Sequence, residues 1–337
     1  MTQSIPNPAE SGLANVANFR DVGANYNRDI AGLGHSELPA LKEGNLFRSA
    51  RLDDATAADV EVLKSKYGIK TVIDLRSDLE RRECEHVAST FLFPAIEQEV
   101  NEELYPVGPN PLPPPGFIEA GSEEEKELQR RASLSSTRSK DSFRRRTRHT
   151  IEFAGPKFRK QGVWKPLSLW QKTKVVALIA AGQKPRAVQM IGEEVIAPQG
   201  LIGLYKNFID YCSDEIAQAL KLLADADNYP VLVHCTQGKD RTGIVTAMAL
   251  SCAGVPLEQI VTDFHRSQAG LDSQREVMVR EMAKTGLAPV FSDAPAEVLR
   301  ETFGYVAEKY GGVERYLDKA GVGKEVRERL RRNLVAA

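Results

Sequence analysis

The 337 residues, 42% hydrophobic and 27% charged, suffice for two average domains or for one with insertions, and for a sizeable core. Lys+Arg 45 against Asp+Glu 46 gives a formal net charge of -1, so nothing in the total points to nucleic acid or to bulk membrane binding. Cys84, Cys212, Cys235 and Cys252 lie far apart with no C-x-x-C pair, which excludes a disulfide scaffold and a cysteine-rich zinc site and suits a reducing compartment.

The N-terminal MTQSIPNPAESG lacks a basic start followed by an apolar core, and the longest strictly apolar run, Val175 to Ala181, is far short of a membrane span. A soluble, cytoplasmic protein is expected. Residues 1–12 form a tail, and 13–96 read as α/β. GNLFRSA is a short strand. Thr56 caps a helical pattern through Val60, Leu63 and Tyr67 that stops at Gly68, and KTVIDLR is a buried strand. An insertion of different character occupies about 97–199. PVGPNPLPPPG cannot pair into a sheet, SEEEKE is acidic, and Arg130 to Thr150 carries seven Arg and one Lys against one Asp. Disorder is expected over 118–150.

Helical spacing returns in LSLWQKTKVVALIAAG and in LIGLYKNFIDYCSDEIAQALKLLAD. YPVLVHC is an apolar, β-branched strand, and RTGIVTAMALSCAG is a nearly all-apolar helix suited to a central position. The tail is helical from Pro256 onward, and no internal repeat is present. Strand–helix alternation favours a parallel α/β sheet with one long insertion.

Between that strand and that helix lies HCTQGKDRTG, residues 234–243. A loop there gathers unpaired N–H groups at a helix N-terminus, a ready anion site whose field also favours the thiolate of Cys235. Arg241 can curl back to grip two oxygens of a tetrahedral anion. Gly238 and Gly243 permit tight curvature and close packing, Thr242 can offer its hydroxyl to the sulfur, and His234 can brace the loop. His-Cys-x5-(Lys/Arg) should arise by chance roughly 0.008 times in a chain of this composition. The bland alternative is an inert buried cysteine at a strand end.

HCTQGKDRTG resembles the H-C-x5-R-[ST] phosphate loop (P-loop) of the cysteine-dependent tyrosine phosphatase superfamily. Its Gly-Lys-Asp-Arg-Thr-Gly form is similar to that of a bacterial and fungal group with phosphotyrosine- and phosphoinositide-directed members. ANVANFRDVGA, LFRSARLDD, VIDLRSDLERRE and YGGVERYLDKAGV fall in that group's order. The resemblance covers about 13–96 and 200–335 and implies one phosphatase domain over 13–335. Its expected fold is a mostly parallel central sheet flanked by helices, with a long, partly disordered insertion and a helical C-terminus. It implies phosphomonoester hydrolysis through a cysteinyl-phosphate, with Cys235 as nucleophile and no metal or cofactor. Thr236, Gln237, Gly238, Lys239, Thr242 and Gly243 would help Arg241 bind phosphate, supported by His234. The implied substrate is a phosphorylated protein or a phosphoinositide.

Several assignments stay open at this level. Asp240 is the general acid, or it orients Arg241 or caps the helix; Asp74 competes for the acid role or makes a structural contact with Arg76 or the loop. Lys239 meets a second phosphate at the rim or is a plain solvated lysine. Arg20 with Asp21, and Arg48 with Arg51, brace the fold or border the cleft. RRRTRH is solvated or touches an anionic membrane, and RRAS sets Ser133 in a kinase-like context. Trp164 to Ala181 covers the site or extends the core. An active phosphatase and an inactive phosphate-binding module are the two functional readings, and the nucleophile favours the first.

Overall fold

A computed structural model describes residues 11–35, 37–82 and 146–336. At its centre are five strands, β1 (Arg20–Asp21), β2 (Leu46–Ser49), β3 (Thr71–Asp74), β4 (Thr147–Thr150) and β5 (Val231–His234), in the order β1-β2-β5-β3-β4. Only the β1–β2 pairing is antiparallel. The parallel strands β2, β3 and β5 are buried along their whole length, and β3 and β5 therefore read as mainly apolar runs rather than as alternation. Successive side chains still part to opposite faces. Leu46, Ile73, Val231 and Val233 enter one core, while Phe47, Val72 and Leu232 enter the other with Val60 and Leu63.

The helices begin where local chemistry satisfies their first N–H groups. Thr56 and Asp59 cap each other reciprocally at α2 (Ala57–Ser65), and Asp59 also accepts from Ala14 N at 2.6 Å, tying down the N-terminal segment. Upstream, α1 (Val22–Leu33) is capped by Asp21, which accepts from Ala24 N at 3.1 Å and Gly44 N at 2.6 Å. Asp21 is therefore a cap rather than the ion-pair partner of Arg20. A third short helix, α3 (Asp78–Arg82), follows β3.

Next come a π-helix at Phe158–Trp164, then α4 (Leu169–Ala180), α5 (Lys184–Ile191) and a second π-helical turn at Gly192–Ile196. Leu167, Val175, Ala187, Met190 and Val195 form a small core of their own there. The long helical pattern from Leu201 breaks at buried Cys212 into α6 (Gly200–Tyr211) and α7 (Ser213–Leu223). The apolar α8 (Asp240–Ala253) follows β5 and is buried almost throughout. The tail is α9 (Leu257–Gly270), α10 (Arg275–Lys284), α11 (Ala296–Tyr310), α12 (Val313–Lys319) and α13 (Lys324–Leu334). No helix among the described residues is long and apolar enough to cross a membrane.

The expected disorder over 118–150 does not hold at its C-terminal end. Thr147–Thr150 is the edge strand β4, paired residue for residue with β3. The arginines here are engaged by the fold: Arg148 is neutralised by buried Asp74, and Arg146, just before the strand, donates to the carbonyls of Ile69 and Lys64. These two arginines are engaged within the fold and are not presented to a membrane. The proline-rich stretch, the acidic run, Ser133 and the rest of the basic stretch lie outside the described residues.

Candidate active site

Cys235 follows the last residue of the central strand, and Asp240 opens α8, so residues 235–239 must turn sharply. Gly238 makes this possible. Its φ is +61°, and a Cβ there would lie 2.0 Å from the Ser49 carbonyl oxygen. The loop's carbonyls are held by side chains. Asn18 Nδ2 donates to Gln237 O at 3.1 Å and Gly238 O at 3.0 Å, and Arg48 donates to Gly238 O at 2.8 Å. The N–H groups of Thr236 to Lys239 donate to no backbone acceptor among the described residues. A row of such donors at a helix N-terminus is an anion cradle.

Arg48 is held in turn by Asp263, at 2.6 Å, which also takes Arg20 at 2.9 Å. Burial would raise the Asp263 pKa, but the two guanidinium groups outweigh it and keep the carboxylate ionised. Both arginines and Asp263 are buried, so they brace the loop from behind. Arg51, in contrast, lines the cleft.

That cleft is about 440 Å³ and is lined by Arg51, Arg76, Glu80, Cys235, Thr236, Gln237, Asp240 and Arg241, with Glu281, Met282, Lys284 and Thr285 from α10 and the turn after it. Glu80, on α3, grips Arg241 with both oxygens, at 2.7 and 2.6 Å, and accepts from Thr236 Oγ1 at 2.6 Å. Burial pushes the Glu80 pKa up, but Arg241 and these hydrogen bonds hold it well below the carboxylate range. The residue was missed from sequence, although S-x-x-E at Ser77–Glu80 is a capping-box signature that marks this helix start.

Asp240 Oδ1 accepts from Tyr205 Oη and from Lys239 Nζ, both at 2.8 Å, while Oδ2 takes no partner among the described residues. Tyr205 is buried on α6, and burial beside Asp240 pushes its pKa well up, so its hydroxyl stays a donor. It too was missed, because a tyrosine on an apolar helix face reads as core. Lys239 corrects the expectation of a rim cation. Its side chain is fully buried, and besides Asp240 it donates to the carbonyls of Phe291 and Asp293 at 3.1 and 2.9 Å. A buried ammonium must find acceptors, and these three occupy it.

Asp74 does not line the cleft. It is sealed beneath the loop between Arg76, at 2.9 Å, and Arg148. Burial opposes its ionisation, but His234 and these arginines prevail and hold it far below the usual carboxylate range. A proton donor to a leaving group needs both a proton and access, and Asp74 has neither. His234 Nδ1 lies 3.1 Å from the Cys235 carbonyl oxygen, and burial pushes its pKa down to about 4, so the ring is neutral at pH 7. The expected bond from Thr242 to the cysteine sulfur is not formed, since the buried Thr242 hydroxyl has no partner among the described residues. Gly243 N donates to Lys239 O at 2.7 Å, which removes it from any phosphate cradle, and a Cβ there would meet Phe264 at 3.0 Å. Trp164 to Ala181 contributes nothing to the cleft lining.

A nucleophilic sulfur at the base of a cleft, inside an N–H cradle and six residues before an arginine, is the arrangement of a cysteine-dependent phosphoryl-transfer site. The sequence pattern of the tyrosine phosphatase family matches residues 11–336, and the chain belongs to that family. It is 34% identical to the triple specificity protein phosphatase PtpB of Mycobacterium tuberculosis over 30% of this chain and 42% of that protein. It is 29% identical to a tyrosine-protein phosphatase of Nostoc commune over 40% and 49% of the two chains. It is 36% identical to the inositol diphosphatase DSP1 of Oryza sativa subsp. japonica over 21% and 32%. The chain thus spans less than half the length of each of these relatives.

Proposed function

We propose that this chain hydrolyses phosphomonoesters through a cysteinyl-phosphate. The observation that supports this best is Cys235 lining the cleft, with the Thr236–Lys239 N–H groups beside it taking no backbone acceptor among the described residues and Arg241 lining the same cleft. The Cys235 thiolate attacks phosphorus, and the bond to the ester oxygen breaks. Arg241, pre-aimed by Glu80, and the loop amides stabilise the charge on the equatorial oxygens. Asp240, with Oδ1 fixed by Tyr205 and Lys239, gives a proton from Oδ2 to the departing oxygen. As carboxylate it then takes a proton from the water that splits the S–P bond.

The substrate is a phosphotyrosine protein, a phosphoinositide, or both. PtpB and the tyrosine-protein phosphatase support the first by resemblance, and the inositol diphosphatases favour an inositol-bearing substrate. With Lys239 buried, Lys284 and Arg51, the latter loosely paired with Asp54 and Glu281 at 3.5 and 3.8 Å, are cleft-lining cations that further phosphates would meet. A thiolate nucleophile suits the reducing cytoplasm, where we place the chain. Phosphate release from p-nitrophenyl phosphate, phosphotyrosine peptides and a phosphoinositide panel, each run beside Cys235→Ser, tests the reading. Hydrolysis that survives in Cys235→Ser would refute it.

A further inference from the structure

The helical hairpin of α4 and α5 carries an exposure pattern that folding alone does not explain. Leu169 is 84% exposed, Trp170 67%, Val176 55% and Ile179 47%, while Val175 is buried in the hairpin's own small core. At 100° per residue, Leu169, Val176 and Ala180 share one strip of α4, with Trp170 and Ala177 on its shoulder. Lys172 and Lys174 flank that strip on opposite sides. Trp164, beside them, is also exposed, so both tryptophans of the chain stand at this surface. Lys172 lies over the Trp164 ring and Lys174 over the Trp170 ring, at 6.0 and 4.9 Å.

Charge on the segment is one-sided. Trp164 to Ile191 holds Lys165, Lys172, Lys174, Lys184 and Arg186 and no carboxylate. Of these, only Lys174 forms an ion pair among the described residues, with Glu194 at 3.6 Å. Exposed aliphatic side chains, interfacial tryptophans and unneutralised cations are together what a helix needs to lie in an anionic lipid interface. A second copy that presented the same face would bring like cations against these.

We infer that the exposed face of α4, with Leu169, Trp170, Val176 and flanking lysines, docks on an anionic bilayer. The hairpin is also anchored near the cleft. A Cβ at Gly192 would lie 1.7 Å from the Thr285 carbonyl oxygen, and Thr285 is a cleft-lining residue. Docking would therefore hold the cleft next to lipid headgroups, and it stands as an interaction whether or not the substrate is a lipid.

Both tryptophans report on it directly. The full chain is titrated with phosphatidylcholine vesicles containing about a third phosphatidylserine, and with pure phosphatidylcholine, while tryptophan emission and co-sedimentation are followed. A blue shift and co-sedimentation are expected only with phosphatidylserine. High salt should weaken them, since each cation near such a surface strengthens binding about fivefold. Leu169→Ala/Trp170→Ala should weaken binding about tenfold or more, and Lys165→Gln/Lys172→Gln should lower it while keeping the apolar face. An unchanged melting temperature shows that each variant is folded. Equal response to both vesicles, no response to either, or undiminished binding by both variants would overturn the inference. So would a lipid-free, concentration-dependent blue shift accompanied by dimers, which would assign the face to a second copy of the chain.

Discussion

The Cys235 loop and the α4–α5 hairpin are each seated by a glycine pressed against backbone from elsewhere in the fold. Gly238 leaves no room for a Cβ beside Ser49 O, and Gly192 leaves none beside Thr285 O. From there they diverge. The loop is braced from behind by Asn18, Arg48 and, through Asp263, Arg20, all buried. The hairpin buries five residues of its own and leaves its largest apolar side chains in solvent. Chemistry at phosphorus needs donors fixed within a fraction of an ångström, whereas a surface that meets a soft partner needs only a face. The fold spends its buried charge on the first and none on the second.

The widest separation of the two regions is expected from Asp240→Asn. With an alkyl or inositol phosphate, whose leaving oxygen is strongly basic, turnover should fall about 10²–10⁴-fold. With p-nitrophenyl phosphate, which departs almost unassisted, the phosphorylation step should fall far less. Equal losses on both substrates would instead make Asp240 a partner of Lys239 and Arg241 only.

The paired glycines give the next test. Gly238→Ala must push the loop off β2, and a displacement near 1 Å costs about 10²-fold in turnover. Gly192→Ala faces an even closer carbonyl, that of cleft-lining Thr285, yet it should lower p-nitrophenyl phosphate hydrolysis far less than Gly238→Ala does, because Thr285 borders the cleft without belonging to the loop that holds phosphate. Amide exchange should quicken across 164–196 in that variant. Matching losses of activity would tie the hairpin to the chemistry and break the contrast.

A smaller effect is expected at Tyr205. Tyr205→Phe removes one of the two donors on Asp240 Oδ1 and should lower kcat about tenfold on alkyl phosphates with little change in KM. An unchanged kcat would make the hydroxyl a packing contact.

The smallest effect lies on α7, outside both regions. Glu215, on α7 beside Gly155, has its pKa pushed up to about 7 by burial and by the carboxylates of Asp214 and Glu152. A carboxyl whose folded pKa exceeds its unfolded one favours the fold below about pH 4.5, and that contribution is lost as pH rises through about 7. Glu215→Gln should therefore raise stability by about 1–2 kcal/mol at pH 8 and leave it unchanged at pH 4. Melting curves at the two pH values check this, and a gain at pH 4 would contradict it.

How legible each part was in the sequence follows from how local its cause is. β5, the loop and α8 were readable because a buried strand, a glycine turn and an apolar helix are written in consecutive residues. The helix α1 was not, since Gly23, Asn25, Asn27 and Gly32 are poor helix formers, and the cap on Asp21 and packing onto the sheet decide it. β4 was hidden by its charge, because the carboxylate that neutralises Arg148 lies 74 residues away at Asp74. Lys239 looked like a rim cation because nothing nearby in the chain announces the carbonyls of Phe291 and Asp293 that bury it. Glu80 and Tyr205 belong to the same class, as side chains whose meaning comes from a loop more than 30 residues distant.

The most direct test of the account is a rapid-quench reaction of the full chain with p-nitrophenyl phosphate, followed by mass spectrometry of the peptide that contains Cys235. The account predicts a phosphoryl group on Cys235 within the first turnover, a burst of p-nitrophenol matching it, and neither in Cys235→Ser. Phosphate release without phosphocysteine, at a rate that Cys235→Ser retains, would contradict it.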